Sequence, residues 1–243
     1  MSNFTKAMLE RAAAAGIPLN MEQAEKFETY HRMLIEANAR FNLTRVPDDE
    51  AEAIDRNYLD CIAPLAIGLP AAHASLIDVG SGAGFPGIPL AICLPETRIV
   101  LMDSLGKRVN FLSDVIAALG LNAQAVHFRA EEAAKNPQWR EQFDCVTARA
   151  VAAMPTLAEL ALPFARVGGR LIAYKGPAAG EELRQAERAI ELLGGGNARI
   201  LQVRIPERED WDHRLVLVDK QRATPRRFPR KSGEAGRNPI LSE

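Results

Sequence analysis

Long apolar runs are missing from this chain: no uninterrupted apolar segment in its 243 residues approaches the ~20 needed to span a bilayer. The opening residues Met1-Ser2-Asn3-Phe4-Thr5-Lys6 lack the apolar core of a signal peptide, so a soluble, cytoplasmic protein with no membrane partner is expected. Cysteine is scarce. Cys61, Cys93 and Cys145 stand far apart with no C-x-x-C pair, and the four histidines, His31, His73, His127 and His213, are isolated from one another. Neither a disulfide framework nor a metal centre is expected, and each histidine is assigned a structural or surface role. Excess charge is lacking too. Formal net charge is −1, so the molecule is no polycation, and any grip on nucleic acid must come from a local patch.

What is present is a glycine-rich turn. Leu76-Ile77-Asp78-Val79-Gly80-Ser81-Gly82-Ala83-Gly84-Phe85-Pro86-Gly87 carries an apolar run into an acid and then into glycines, which admit positive φ and a close backbone approach to a ligand. Asp103 ends the next apolar run, Arg98-Ile99-Val100-Leu101-Met102; in a βαβ unit an acid there reaches the ribose hydroxyls of an adenosine moiety. Gly82, Gly84 and Gly87 spell a literal G-x-G-x-x-G, but out of register for a dinucleotide. Counted from Gly80, where the strand ends, Phe85 takes the place of the third glycine. Asp78 would also lie beside a pyrophosphate, like charge near like charge. S-adenosyl-L-methionine carries a sulfonium and an amino group and no phosphate, so Gly80, Gly82 and Asp103 are read as parts of a site for that cofactor.

Organisation follows from periodicity. Residues 1–72 read as an N-terminal helical extension packed on the core: Met21, Ala24, Phe27, Tyr30, Met33, Leu34 and Ala37 recur at helical spacing, with Asn20 as N-cap. Residues 73–220 alternate short apolar runs with helical stretches, the pattern of a parallel sheet with crossover helices. Strands are expected near 75–79, 98–103, 123–128, 143–148 and 169–174, with a turn at Gly168-Gly169 into the last of these. A helix over about 179–193 follows, and strands near 198–205 and 214–219 close the sheet as an antiparallel pair. Residues 221–243 form a basic, Pro-containing tail. Lys220-Gln221-Arg222-Ala223-Thr224-Pro225-Arg226-Arg227-Phe228-Pro229-Arg230-Lys231 has no acid, and its prolines favour extended chain on or near the surface. Arg226, Arg227 and Arg230 suit phosphates and Phe228 offers a stacking face, as single-stranded RNA sites do; a solvated basic tail is the alternative.

With these residues in view, the chain resembles the RsmG (GidB) family, bacterial methyltransferases acting on guanine N7 of small-subunit (16S) ribosomal RNA. The likeness is carried by Phe41-Asn42-Leu43-Thr44, the glycine loop through Leu90, Asp103-Ser104-Leu105-Gly106-Lys107-Arg108, Arg149-Ala150, Tyr174-Lys175-Gly176 and Pro225-Arg226-Arg227-Phe228-Pro229-Arg230. It implies a Rossmann-like class I S-adenosylmethionine-dependent methyltransferase fold, α/β with a seven-stranded mostly parallel sheet, and rRNA, free or in the assembled subunit, as partner. By the same resemblance Gly80, Phe85, Ala130, Glu131 and Arg149 hold the cofactor. For Arg149 the cofactor carboxylate, the substrate base, a phosphate and a plain structural salt bridge all stay open. Two departures stand out: Tyr58-Leu59-Asp60-Cys61 where the family often has His-x-x-Asp-Ser, and Ala148 for a frequent serine.

Guanine N7 has an in-plane lone pair and no proton, so no catalytic acid or base is expected. Lys175, at the end of the fifth strand, is the leading internal RNA contact, with Tyr174 as a stacking partner or as ordinary sheet packing. A small-molecule methyltransferase, which needs no basic tail, and a non-catalytic RNA-binding module, which needs no glycine loop, are the alternatives.

Overall fold

A computed structural model describes residues 1–70, 74–206, 208 and 211–242, and the backbone alone of Phe41; His73, and with it the expected boundary at 72/73, lies outside the described residues. Seven strands form one sheet in the order β3-β2-β1-β4-β5-β7-β6. They are β1 (Ser75–Val79), β2 (Arg98–Asp103), β3 (Ala123–His127), β4 (Phe143–Arg149), β5 (Ala165–Lys175), β6 (Gly195–Val203) and β7 (His213–Lys220). The first five run parallel, and β7 pairs antiparallel with both β5 and β6. This is the expected α/β architecture, strand for strand. The order reverses between β1 and β4, and the crevice beyond the carboxyl ends of strands at such a reversal is where open α/β sheets bind ligands.

Side chains alternate across the pleat, so each strand feeds two cores. Leu76, Ile99, Leu101, Leu215 and Leu217 pack on one face, and Ile77, Val100, Met102, Val216 and Val218 on the other. The N-terminal region covers the first face. Helices α1 (Asn3–Ala14) and α2 (Met21–Phe41) precede short helical segments α3 (Glu50–Ala53) and α4 (Asp60–Ile62), separated by a π-helical turn over Ile54–Leu59. Helix α2 starts at the expected place: the Asn20 side chain accepts from Gln23 N, and the Gln23 side chain accepts from Asn20 N. Its buried stripe of Ala24, Phe27, Tyr30 and Leu34 packs on α5 (Gly87–Cys93) and α6 (Gly106–Leu119). The second face is covered by α7 (Ala130–Ala133), α8 (Met154–Ala161), α9 (Ala179–Leu192) and the C-terminal segment with α10 (Glu234–Arg237).

Boundaries differ from the expectation in three places. Strand β6 spans Gly195–Val203 rather than about 198–205, starting on the glycines that follow α9. Strand β5 starts at Ala165 rather than 169, because Ala165 pairs with Phe143 before a register shift. Gly169 therefore lies inside the strand, where a Cβ would stand 2.8 Å from the carbonyl oxygen of Asp144. The tail differs more. Arg140 donates to the carbonyls of Thr224 (2.6 Å) and Phe228 (2.9 Å), and Arg230 forms a fork with the buried Glu159 carboxylate at 2.6 and 3.0 Å. Phe228, expected to offer its ring to a base, is 5% exposed and packs in the second core. It seals the sheet, and of the cations in the basic segment Arg222, Arg226, Arg227 and Lys231 are exposed while Lys220 is buried and Arg230 half-buried.

The N-terminal helices also reach the glycine loop. The Tyr30 hydroxyl donates to the Ala83 carbonyl at 2.7 Å, and a Cβ on Gly84 would stand 2.7 Å from that hydroxyl. Around it Tyr58 contacts the rings of Phe27, Tyr30 and Phe85 at 5.6 to 6.0 Å between centroids. Tyr30→Phe leaves a buried carbonyl without its donor, at a cost of about 1–3 kcal/mol. Urea unfolding should register that loss with the m-value unchanged, and S-adenosylmethionine binding by calorimetry should weaken as the loop loosens.

Candidate active site

Asp78 is the centre of the loop's construction. It is fully buried at the end of β1, in register with Thr147 of β4. Its Oδ1 accepts from Thr147 Oγ1 at 2.9 Å and its Oδ2 from Gly87 N at 3.1 Å. Gly87 has to lack a side chain, since a Cβ there would stand 2.8 Å from Asp78 Oδ2 and collide with Leu101. The acid that the sequence places beside the cofactor therefore points into the protein and pins the loop. Asp103 faces the crevice instead, its Oδ2 accepting from Gly82 N and its Oδ1 from Leu105 N, both at 2.9 Å, with Arg108 at 3.4 Å. Gly80, at φ 75°, leaves room for Val151, which a Cβ would approach to 2.8 Å.

Two clefts open at the reversal point. The first, of about 310 Å³, is lined by Gly80, Asp103, Phe128, Ala130 and Glu131, with Ala150 and Val151 from the loop after β4. Phe128 turns an exposed ring to solvent there, and Glu131 is steadied by Gly233 N, which donates to its Oε1 at 2.7 Å. The second, of about 430 Å³, shares Ala150 and Val151 and is lined by Asp60, Arg149, Tyr174, Lys175, Glu182 and His213. Both volumes fall in the range of small-molecule sites. Ala150 bridges them in the left-handed region, φ 55°, a conformation that nothing in an alanine advertises.

The expected site residues divide between these clefts. Gly80, Asp103, Ala130 and Glu131 meet in the first; Gly82 and Phe85 do not line it, Gly82 N donating to Asp103 and the Phe85 ring lying under Arg149. Arg149 lines the second. Its guanidinium donates to Cys61 Sγ (2.9 Å) and the Arg56 carbonyl (2.7 Å), stands 3.2 Å from Asp60, and lies over the Phe85 ring at 5.6 Å. Tyr174 lines the same cleft, but its ring is buried and its hydroxyl donates to the Cys61 carbonyl at 2.6 Å, so it offers no face to a base. Sheet packing is its role. Lys175 reaches the Ala152 carbonyl at 2.5 Å and Glu182 at 2.7 Å. His213, at 2.8 Å from Asp60, also faces this cleft, whereas His127 caps the Ser104 carbonyl at 3.0 Å and His31 contacts the Tyr58 hydroxyl at 2.8 Å. No local pattern marks Asp60 or Glu182 as a site residue: the first sits in a π-to-α junction and the second in the charge pattern of an ordinary surface helix.

The model of the family described as rRNA small subunit methyltransferase G matches residues 23–210. The chain belongs to this family. Curated relatives called ribosomal RNA small subunit methyltransferase G are similar along nearly the whole length. The one from Lactobacillus delbrueckii subsp. bulgaricus is 44% identical, covering 91% of this chain and 93% of its own. That from Clostridium perfringens is 42% identical, covering 96% and 97%. Among solved structures, cofactor-bound Rv0187 from MTB superposes with a TM-score of 0.54 at 17% identity, covering 82% of this chain and 91% of that one. TrmN from Thermus thermophilus superposes at 0.52 with 18% identity, covering 78% and 52%. These likenesses are ones of fold. Among the described residues, no helix is long and apolar enough to cross a membrane.

Burial raises the Asp78 carboxyl to about 6 from its ordinary 3.8, against the pull of its hydrogen bonds. Between those values the folded state holds a proton that the unfolded chain has released, so stability falls as pH rises through this window. The unfolding free energy of the unaltered protein minus that of Asp78→Asn should drop by on the order of 3 kcal/mol from about pH 4 to pH 6 and level off above. Denaturant titration of both proteins at each pH measures it; a flat difference would place the charge cost elsewhere.

Proposed function

We propose that this chain transfers the methyl group of S-adenosyl-L-methionine to N7 of a guanine in small-subunit ribosomal RNA. The observation that carries the reading is the pair of clefts meeting at Ala150 and Val151, on the loop after β4 at the sheet's reversal point. The first suits the cofactor by its chemistry. Gly80 offers backbone free of a Cβ to the methionine part, and the Asp103 carboxylate keeps acceptor capacity for ribose hydroxyls beyond the Gly82 and Leu105 N–H groups and the Arg108 guanidinium it already serves. Phe128, Ala130 and Glu131 flank the adenine. Gly82 and Phe85 act indirectly, Gly82 by orienting Asp103 and Phe85 by supporting Arg149. The second cleft receives the acceptor base, with Arg149 and Lys175 at its wall.

When bound, the cofactor supplies an electrophilic sulfonium methyl. The chain's part is alignment. N7 attacks without losing a proton, so no residue acts as general base, and holding the reactants in line supplies several kcal/mol, up to roughly 7–11 in well-oriented systems. The N7 edge of a paired guanine is buried in the narrow groove of A-form RNA, so the target lies in a loop or is turned outward. Outside the clefts, exposed Arg226, Arg227 and Lys231 contact phosphates, while Arg230 is committed to Glu159. The reaction belongs in the cytoplasm, on the free RNA or on the assembled subunit.

Labelled cofactor, incubated with RNA from a bacterial strain lacking this protein, should yield labelled 7-methylguanosine in the small-subunit RNA; label in any other nucleoside, or none, would overturn the reading. Replacing Arg226, Arg227 and Lys231 together by alanine should lower RNA affinity and flatten log affinity against log salt by up to ~0.7 per lost contact on single-stranded RNA. Cofactor affinity should stay unchanged. Normal methylation at every salt concentration would move the phosphate contacts to another surface.

A further inference from the structure

Within the second cleft, one ion pair is arranged like half of a base pair. Lys175 Nζ, at the carboxyl end of β5, donates to the Ala152 carbonyl at 2.5 Å and to Glu182 Oε2 at 2.7 Å. An ammonium has three protons, so one donor remains. Glu182 Oε2 also accepts from Met154 N at 2.9 Å, which fixes the carboxylate against the start of α8. Its other oxygen, Oε1, has no protein donor among the described residues. The pair is partly sheltered, with side chains 9% and 23% exposed, and both residues line the cleft. It therefore presents a spare cationic donor next to a spare anionic acceptor, held rigid from two sides.

We propose that Lys175 and Glu182 read the O6 and N1–H groups of the target guanine, and so select guanine over adenine. The proposal rests on the reading that this cleft takes the acceptor base. Beside the N7 edge, guanine presents O6, an acceptor, and then N1–H, a donor. A lysine donor adjacent to a carboxylate acceptor matches that order. Adenine presents the reverse, an amino donor and then the bare N1 acceptor, and would set its amino group against the ammonium and its lone pair against the carboxylate. A site built on such groups rejects a ligand lacking the partners more strongly than an apolar pocket does, because its own polar atoms are then left unpaired. Both contacts lie away from N7, whose lone pair stays free for the methyl group.

The test uses the full-length protein and small-subunit RNA in which the methylated guanosine, once located by nucleoside mapping, is replaced by inosine or by 2-aminopurine riboside. Inosine keeps O6 and N1–H. 2-Aminopurine keeps N7 but lacks O6 and has an unprotonated N1. Inosine RNA should be methylated within about threefold of guanosine RNA, and 2-aminopurine RNA at least about 100-fold more slowly. Intrinsic N7 reactivity also differs between these bases, so the decisive quantity is a ratio of ratios. Glu182→Gln keeps an oxygen for Met154 N and Lys175 and turns an amide donor to the base. It should slow guanosine RNA by about 10- to 100-fold, the worth of a hydrogen bond to a charged group, while sparing 2-aminopurine RNA. The guanosine preference should then shrink at least about tenfold relative to the unaltered protein, with cofactor affinity by calorimetry unchanged. A merely structural role for Glu182 would slow both RNAs equally, and an unchanged ratio would overturn the proposal. If the unaltered protein instead places no label on N7 of guanosine RNA, the assignment of the cleft fails, and this pair's role with it.

Discussion

One buried carboxylate holds the working end of this sheet together. Asp78 sits where β1 ends, and its two oxygens tie the neighbouring strand, through Thr147, to the first turn of α5, through Gly87 N. That geometry sets the path of every residue between them. The glycine loop has no freedom to swing away from β4, and the Ala150–Val151 wall that separates the two clefts stands opposite Gly80 at contact distance. The cost is a charge held away from water, visible in a carboxyl pushed up to about 6. The Thr147 hydroxyl and the Gly87 N–H offset part of that cost, and the result is a loop whose backbone groups are already aimed before any ligand arrives.

The two ends of the chain complete the site from opposite faces. The N-terminal helices close one core and send the Tyr30 hydroxyl to the back of the glycine loop. The C-terminal segment closes the other and sends Gly233 N to Glu131 at the cofactor cleft. Neither is an appendage to the sheet. Loops of the sheet carry the polar groups, and regular elements and buried rings behind them limit how those groups move, a division of labour common where function sits on loops. Arg149 illustrates it. Its guanidinium is held by Asp60, by the Cys61 sulfur and by the Phe85 ring, three anchors from two segments far apart in the chain.

What the sequence by itself determined is the frame and the kind of ligand. Apolar runs of strand length, separated by helical stretches, specify a doubly covered sheet because burial on both faces demands them. Asn20 and Gln23 mark a helix start because a local capping box satisfies its orphan N–H groups. The glycines and Asp103 point to an adenosine-type ligand because backbone conformation and strand position are local properties. Tertiary structure alone decided which polar groups face each other. Asp78 and Asp103 look alike in sequence, yet the register of β1 against β4 turns the first inward and leaves the second at the cleft. Phe228 and Tyr174 look like stacking faces, yet they are buried because the cores they complete are assembled from distant segments. Arg230 looks like a phosphate contact, yet Glu159, 71 residues away, claims it. Pairings of that kind depend on where remote side chains arrive in space, which no local pattern of residues encodes.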